Sequence, residues 1–355
     1  MVSMDAVAAL DEIAFWLERS RAATFKVQAF RKAAGVIRVL APDELAARAR
    51  TGRLKSMKGI GDRTHQVIQE ALAGQVPDYL ADLRDKGAAP LTTGGHELAA
   101  KLRGDLHSHS DWSDGGSPID LMLGAATILG REYQALTDHS PNLTIANGLT
   151  AERLTEQLDI VAALNAPAGK DGTHDGGPTV TRLLSGIEVD ILETGELDQS
   201  PELLDRLDIV VASVHSKLRA DSVTMTKRML GGIRNPHTNI LGHCTGRLVE
   251  GSRGTRPPSD FDAKAVFGAC AESNVAVEIN SRPERQDPPD ALIQLALDAG
   301  CLFSIDSDAH APGQLDFLQY GAERATKNGV PAERIITTWP LDQLLDWAAS
   351  SKSQG

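Results

Sequence analysis

Cysteine is scarce: Cys244, Cys270 and Cys301 are the only three in 355 residues. They form no Cys-x-x-Cys pair and no disulfide framework, and an odd number points to reduced thiols in a cytosolic protein. Long apolar runs are also missing. Nothing approaches the roughly eighteen uncharged apolar residues of a membrane span. The stretch from Met1 to Glu12 places acids where a secretion signal needs a basic and then an apolar region. The expectation is a cytoplasmic protein with no membrane contact. An overall positive charge is lacking too: 36 basic side chains stand against 48 acidic ones, a net charge of -12. The deficit is uneven. Residues 1–100 hold 14 Lys/Arg and 12 Asp/Glu, whereas residues 101–355 hold 22 and 36. Within 19–63 the count is 12 basic against 3 acidic. Net acidity therefore does not exclude a nucleic-acid partner, because the charge that matters is local.

Length and a hydrophobic content of 41% allow a full core and more than one small domain. One stretch organises the rest: Gly104-Asp-Leu-His107-Ser-His109-Ser, followed by Asp111-Trp-Ser-Asp114-Gly115. Residues i and i+2 of a strand share a face. His107 and His109 would then project together from one strand end, and Asp114 returns from the following loop. Two imidazoles and a carboxylate converging on one point suit a divalent transition metal. Taken alone, the stretch reads equally as a hydrophilic turn. Further histidines and acids recur, however, at the ends of apolar runs: His139, Glu188, His215, His243, Asp308 and His310.

Along the chain, helical periods cover 5–18 (Val7, Leu10, Ile13, Ala14, Leu17) and 24–39 (Phe25, Val27, Phe30, Ala33, Val36, Ile37). A third short helix is expected over 43–49 and a fourth over 64–72. Between them lies Lys55-Ser-Met-Lys58-Gly59-Ile60-Gly61-Asp-Arg63. Two glycines ahead of a helix make a hairpin whose backbone N–H groups suit a phosphate, and Lys55, Lys58 and Arg63 flank it. Basic residues around a tight turn are otherwise ordinary solvated surface. The local charge and the helix–hairpin–helix layout favour contact with a DNA backbone, without sequence preference. Gly- and Pro-containing residues 86–103 read as a linker between a helical domain, 1–85, and a second domain, 104–350.

Apolar strand-like runs fall near 104–107, 133–138, 184–188, 208–214, 239–242, 275–279 and 301–306, with helical patterns between or around them. Ser117-Pro118 and Ser200-Pro201 read as Ser caps with Pro at the first helical position. Seven strands alternating with helices give an α/β fold with a parallel sheet, closed into a barrel or left open and doubly wound. In a parallel barrel the C-terminal strand ends form the active-site rim, which is where the histidines and acids recur.

Phe25-Lys-Val-Gln-Ala-Phe-Arg-Lys-Ala-Ala34 and Met57-Lys-Gly-Ile-Gly61 resemble the small DNA-end-binding domain of family X DNA polymerases. In some members a Schiff-base lysine follows the hairpin; here that position is Val67, which puts such lyase chemistry in doubt. The chain has too few residues for the family's nucleotidyl-transferase domains, so no polymerase activity is expected. Residues 103–345 resemble the polymerase-and-histidinol-phosphatase (PHP) domain found at the C-terminus of bacterial family X polymerases. The resemblance rests on Asp105-Leu-His-Ser-His-Ser, Thr137-Asp-His139, Gly186-Ile-Glu188, Ser213-Val-His215, Gly242-His-Cys-Thr-Gly-Arg-Leu248, Glu278-Ile-Asn280 and Asp306-Ser-Asp-Ala-His310.

The resemblance implies a distorted (β/α)7 barrel and two or three divalent ions. It implies the metal ligands His107, His109, Asp114, His139, Glu188, His215, His243, Asp308 and His310. Mixed imidazole and carboxylate donors suit Mn2+, Zn2+ or Fe2+. Clustered ions activate water and hold phosphate oxygens. Glu188 and Asp308 are the acids expected to take part in catalysis. Arg247 and Arg282 would meet phosphate oxygens, unless they serve as surface ion pairs. Asp138 and Asp306 adjoin ligands and would orient imidazoles, whereas Glu278 and Asn280, although part of the motif, read equally as rim packing. His65, His96, His174 and His237 match no motif and read as surface. The expected activity is metal-dependent phosphoesterase action at DNA ends, as a 3′-to-5′ exonuclease or 3′-end phosphoesterase. The rivals are a small-molecule phosphatase of the histidinol-phosphate type and a DNA-binding protein with an inactive structural barrel.

Overall fold

The computed structural model describes residues 4–166, 181–251 and 254–352. They divide into two units, Met1–Pro90 and Leu91–Gly355. Each has its own apolar core.

The first unit is all helical: α1 (Ala6–Arg19), α2 (Thr24–Arg38), α3 (Pro42–Arg50), α4 (Asp62–Leu72) and α5 (Asp78–Gly87). Asp5 starts α1 by accepting the Ala8 N–H at 2.9 Å, which satisfies one of the donors that a helix start leaves open. Leu10, Ile13, Ala14 and Leu17 form its buried stripe. On α2 the buried face is Phe30, Ala33, Ala34 and Ile37, a clean i, i+3, i+4, i+7 set. Phe25 falls off that stripe and is 70% exposed, a correction to the longer face expected from sequence. A 3-10 turn, Arg53–Ser56, buries Leu54 and leads to Gly59, whose φ is 108°. A side chain there would be strained by backbone and would press on Lys32 and Val36 at 3.1–3.2 Å. Gly61 caps α4, and its N–H donates to Thr64 Oγ1 at 2.9 Å. Val67, at the Schiff-base position of the resemblance, is buried in this core.

The second unit opens with the short α6 (His96–Ala99), and Leu98 and Leu102 are buried in the barrel core. Residues 91–103 therefore pack with the barrel, although sequence reads 86–103 as a linker. Seven strands follow: β1 (Gly104–Asp105), β2 (Tyr133–Leu136), β3 (Arg182–Asp190), β4 (Ile209–Ser213), β5 (Ile240–Leu241), β6 (Ala276–Asn280) and β7 (Phe303–Asp306). They are parallel and sit side by side in chain order. Between β7 and β1 a single bridge, Ser108 to Ala309, nearly closes the barrel. Around the strands run α7 (Ile119–Ile128), α8 (Ala151–Leu164), α9 (Pro201–Leu204), α10 (Ser222–Ile233), α11 (Ala263–Glu272), α12 (Asp290–Asp298), α13 (Leu318–Lys327) and α14 (Leu341–Lys352). The fold is the (β/α)7 barrel preceded by a small all-α domain.

Strand alternation assigns the two faces. Val210 and Ala212 of β4 join the cluster that includes Met225, Met229 and Ile233 of α10. Ile209 and Val211 join Leu106, just after β1, with Ala135, Leu184, Ile240 and Ala276, a cluster drawn from five strands and the end of a sixth. Only the barrel interior can gather those. Leu344, Trp347 and Ala348 of α14 close its base. Because period two persists, Glu188 continues from Leu184, Glu278 from Ala276, and His215 from Ile209 and Val211. The inward rows thus change from apolar below to ionisable above.

Of the two expected Ser-Pro caps, one forms. Ser200 accepts the Leu203 N–H ahead of Pro201. Ser117 does not cap α7, which starts one residue later, at Ile119, and its buried hydroxyl has no partner.

Gly104 sets a spacing in the first strand pair. A Cβ there would lie 2.0 Å from Tyr133 Cδ2 and 2.6 Å from the Tyr133 carbonyl. Gly104→Ala should lower stability by about 1–3 kcal/mol in a urea or thermal melt. Gly124→Ala, inside α7 with nothing within 4 Å of the added carbon, should be neutral or stabilising by up to about 1 kcal/mol. Equal melts for the two variants would contradict the packing assigned to β1.

Candidate metal centre

The ionisable rows meet in a cavity of about 320 Å³ at the C-terminal strand ends, lined among others by Asp114, His139, His215, His243, Arg285, Asp308 and His310. A larger hollow, about 580 Å³, lies outside the barrel against α10. Its lining of Ser, Thr and aliphatic groups with Lys227, Arg234 and Asp262 offers no clustered donors.

Glu188 stands at the centre. Its Oε1 lies 2.8 Å from His243 Nε2 and 3.1 Å from His215 Nε2. Its Oε2 lies 2.9 Å from His139 Nδ1 and 3.3 Å from His107 Nε2. Nε2 of His109 is 3.2 Å from Nε2 of His107 and 3.4 Å from Asp308 Oδ1. Asp114 Oδ1 is 3.4 Å from His139 Nε2 and 3.3 Å from His310 Nε2. All nine residues expected as ligands enter this one network. β1 ends at Asp105, two residues short of the strand-like run, yet His107 and His109 still converge.

Three groups have donor atoms close enough to share an ion: His107, His109 and Asp308; His139, Glu188 and His215; and His109, Asp114, His139 and His310. Two donors bound about 2.0–2.2 Å from one ion lie roughly 2.9–3.5 Å apart, the separations seen here. His109 Nδ1, His139 Nδ1, both Glu188 oxygens, His215 Nε2 and both His243 ring nitrogens are buried yet make no hydrogen bond. Buried polar atoms are rarely left so. The carboxylates of Asp114 at the rim and of buried Glu188, Asp190, Glu278 and Asp308 outnumber the guanidiniums of Arg256, Arg282 and Arg285, and buried charge of one sign needs a compensating cation. The residues fit divalent ions.

The imidazoles are held from behind. His107 Nδ1 is 2.6 Å from Glu278 Oε1, and His215 Nδ1 is 2.5 Å from Asp190 Oδ1. With Nδ1–H donating, each Nε2 keeps its lone pair toward the cavity. Glu278 also accepts the His243 N–H, and Asn280 Nδ2 donates to Glu278 and to Asp308 Oδ2 at 3.2 and 3.0 Å. Asp138 and Asp306 do not orient imidazoles, a correction to the sequence expectation. Asp138 accepts from Ser110, Ser113 and Gln157, and Asp306 Oδ1 accepts the Leu106 N–H. Asp138 adjoins His139, and adjacent positions on a strand point to opposite faces; Asp306, two residues before Asp308, is engaged instead by the Leu106 N–H where the last strand meets the first. Asp190 was missed. The signal that could have found it is its i+2 spacing from Glu188.

Burial works against an ionised Glu188, but His215, His107, His139 and His243 hold its carboxyl well below the usual range. Burial likewise opposes ionised Asp308, and Arg285 with His109 outweighs it. Burial, with His310 and His139 alongside, pushes His109 down to about 3.

The arginines part company. Arg282 Nη1 lies 2.9 Å from His310 Nδ1 and 3.3 Å from the Asp308 carbonyl. Arg247 is turned away, with its guanidinium on the carbonyls of Arg285 and Gln286. The cavity is instead lined by Arg285, whose Nε donates to Asp308 Oδ2 at 3.0 Å. No motif marked Arg285. Of the other histidines, His96 is exposed, His65 is half-buried, and His237 pairs with Asp205 at 2.9 Å. His174 lies outside the described residues.

At the hairpin, Gly59 and Gly61 take the expected turn. Lys55 is paired with Asp62 at 2.5 Å, and Arg63 lies over the Tyr79 ring at 5.2 Å. Lys58 is exposed. Elsewhere in this unit Arg31 and Arg38 are neutralised by Asp11, with Glu18 also on Arg31.

A family model described as a helix-hairpin-helix domain matches residues 3–76. The DNA polymerase/3′-5′ exonuclease PolX of Bacillus subtilis (strain 168) is 36% identical over 241 residues, 68% of this chain and 40% of that protein. Residues 3–76 thus carry a helix–hairpin–helix domain, ahead of the seven-stranded parallel barrel. A protein of Aeromonas hydrophila named "Probable phosphatase" is 28% identical over 256 residues, 69% of this chain and 93% of that protein. Among solved structures, histidinol phosphate phosphatase of Lactococcus lactis, complexed with zinc, L-histidinol and phosphate, aligns with a TM-score of 0.40 and 15% identity. It covers 71% of this chain and 93% of that one. The chain thus spans under half the length of its polymerase relative. Among the described residues, no helix is long and apolar enough to cross a membrane.

Two side chains behind the site give a test. Asp190→Asn and Glu278→Gln should each lower metal affinity about 10–100-fold, read by competition with a chromogenic chelator. His96→Ala should not change it. Unchanged affinity in both supporting variants would show that the imidazoles need no such orientation.

Proposed function

We propose that the chain is a metal-dependent phosphoesterase acting at DNA ends, as a 3′-to-5′ exonuclease or 3′-end phosphoesterase. The observation that carries the hydrolytic part is the set of unsatisfied buried donors gathered on Glu188 at the barrel rim. His107, His109, Asp114, His139, Glu188, His215, His243, Asp308 and His310 would hold two or three ions among Mn2+, Zn2+ and Fe2+. Such ions, when bound, activate water and neutralise phosphate oxygens. Glu188 and Asp308 bring the negative charge that keeps them in place. Arg285, lining the cavity, takes the phosphate-binding role expected of Arg247. Arg282, placed on His310, serves to hold that ring.

The DNA part is supported by the match to a helix-hairpin-helix domain and by the similarity to PolX. The Gly59–Gly61 turn leads into the N-terminus of α4, where a phosphate is favoured. Lys55, Lys58 and Arg63 add positive charge. A domain that holds DNA raises the local concentration of ends near the barrel. The second reading, a small-molecule phosphatase, is favoured by the relative named as a phosphatase, which the chain covers over 93% of its length.

Chelation by EDTA should abolish phosphoesterase activity, and added Mn2+ or Zn2+ should restore it. Full activity in EDTA would remove the metal-dependent reading.

Charge reversal at Lys55, Lys58 and Arg63 in the whole chain should lower activity on a DNA 3′ end about tenfold or more. The loss should be largest at low salt and shrink as salt rises, because the variant has fewer counterion-releasing contacts to lose, while activity on a small phosphate monoester stays within about twofold. Equal loss on both, or histidinol phosphate as the far better substrate, would favour the small-molecule phosphatase.

A further inference from the structure

The cavity has two unlike walls. One carries the donors already described with Arg256 and Arg285. The other is apolar: Leu143, Ile145 and Ala146 from the loop after β2, and Val214 and Leu218 from the loop after β4. Ile145 is 93% exposed, and no other large apolar side chain among the described residues is as open. Holding an isoleucine in water at a polar rim has no benefit to folding, since its burial elsewhere would stabilise the chain.

The loop is not loosely held. Asn147 adopts φ 55°, and its Nδ2 donates to the Trp112 carbonyl at 3.1 Å. Arg153 donates to the carbonyls of Asn147, at 2.7 Å, and Trp112. A Cβ on Gly148 would lie 1.8 Å from the Ser140 carbonyl, so the chain passes there without room for a side chain. Asn142 Nδ2 donates to Asp190 Oδ2 at 2.7 Å. Asp190 also orients His215. The loop that carries Ile145 is therefore registered against the metal-binding side chains.

From this placement, and on the DNA-end reading above, we infer that the Leu143–Ile145 wall is the seat of the nucleobase of the terminal nucleotide. A phosphate held by the ions and Arg285 carries its sugar and base outward, and the apolar wall is the surface that a flat base can cover. The volume, about 320 Å³, is at the small end for ligand sites. It suits one nucleotide and not a duplex, so the end must be single-stranded or frayed where it enters. Contact with the aliphatic face is indifferent to which base is present, as for other sequence-tolerant platforms.

The test compares two oligonucleotides that differ only at the 3′-terminal residue, one normal and one abasic. The proteins are the wild-type chain, Ile145→Ser and Leu143→Ser, each with bound zinc measured. The wild type should show a KM about tenfold lower for the normal end, the effect of covering one aliphatic side chain. Either variant should lose most of that preference by raising KM on the normal end. Its kcat, zinc content and activity on the abasic end should stay within about twofold. A wild type that cleaves both ends equally well, or variants that lose both ends alike, would overturn the base seat while leaving the DNA-end activity standing. A wild type that cleaves neither end would refute the DNA-end reading itself, and the base seat with it.

Discussion

A carboxylate at 1% exposure, Glu188, stands among four imidazoles, and the upper half of the barrel is arranged around it. A lone buried anion is expensive. Here its neighbours come from four different strand ends, so the charge is satisfied only when the barrel has closed. Closure itself is thin. A single bridge joins the last strand region to the first, and side chains complete it: Asp105 accepts from Ser307, and Asp306 accepts from Leu106. Folding and site assembly are therefore the same event in this unit. Divalent ions would stabilise both, because binding to a site that exists only in the folded chain adds to folding free energy.

The hairpin unit obeys a different constraint. Its surplus of positive charge is partly spent on its own acids, with Arg31 and Arg38 on Asp11 and Arg84 on Glu12 at 2.6 Å. Near the glycines stand Lys32, Lys58, Arg63 and the Lys55–Asp62 pair. Exposed pairs such as Lys55–Asp62 are weak, so a phosphate can compete for the lysine. Local charge read from sequence thus overstates what is available at the surface.

Much of the barrel was legible because its signals are periodic or local. Seven apolar runs became seven strands, and motif residues at their ends met in one cavity. The supporting residues were less legible. Asp138 stands next to His139 in sequence, but a strand sends neighbours to opposite faces, and Asp306, two residues before Asp308, is taken up by the Leu106 N–H at the barrel seam. Asp190 and Glu278 support the rings instead, each at a position whose partner lies on another strand. Arg285 and the exposed Ile145 belong to loops, where no period announces the direction of a side chain. Phe25 shows the same limit in a helix: one residue off the stripe is enough to put a large ring in solvent.

The most direct measurement is an anomalous difference map from crystals grown with zinc. The account predicts two or three peaks inside the cavity. One should lie within about 2.0–2.2 Å of His107 Nε2, His109 Nε2 and Asp308 Oδ1, and another within that distance of Glu188 and His215. A cavity without any such peak, in protein that still hydrolyses phosphate esters, would contradict it.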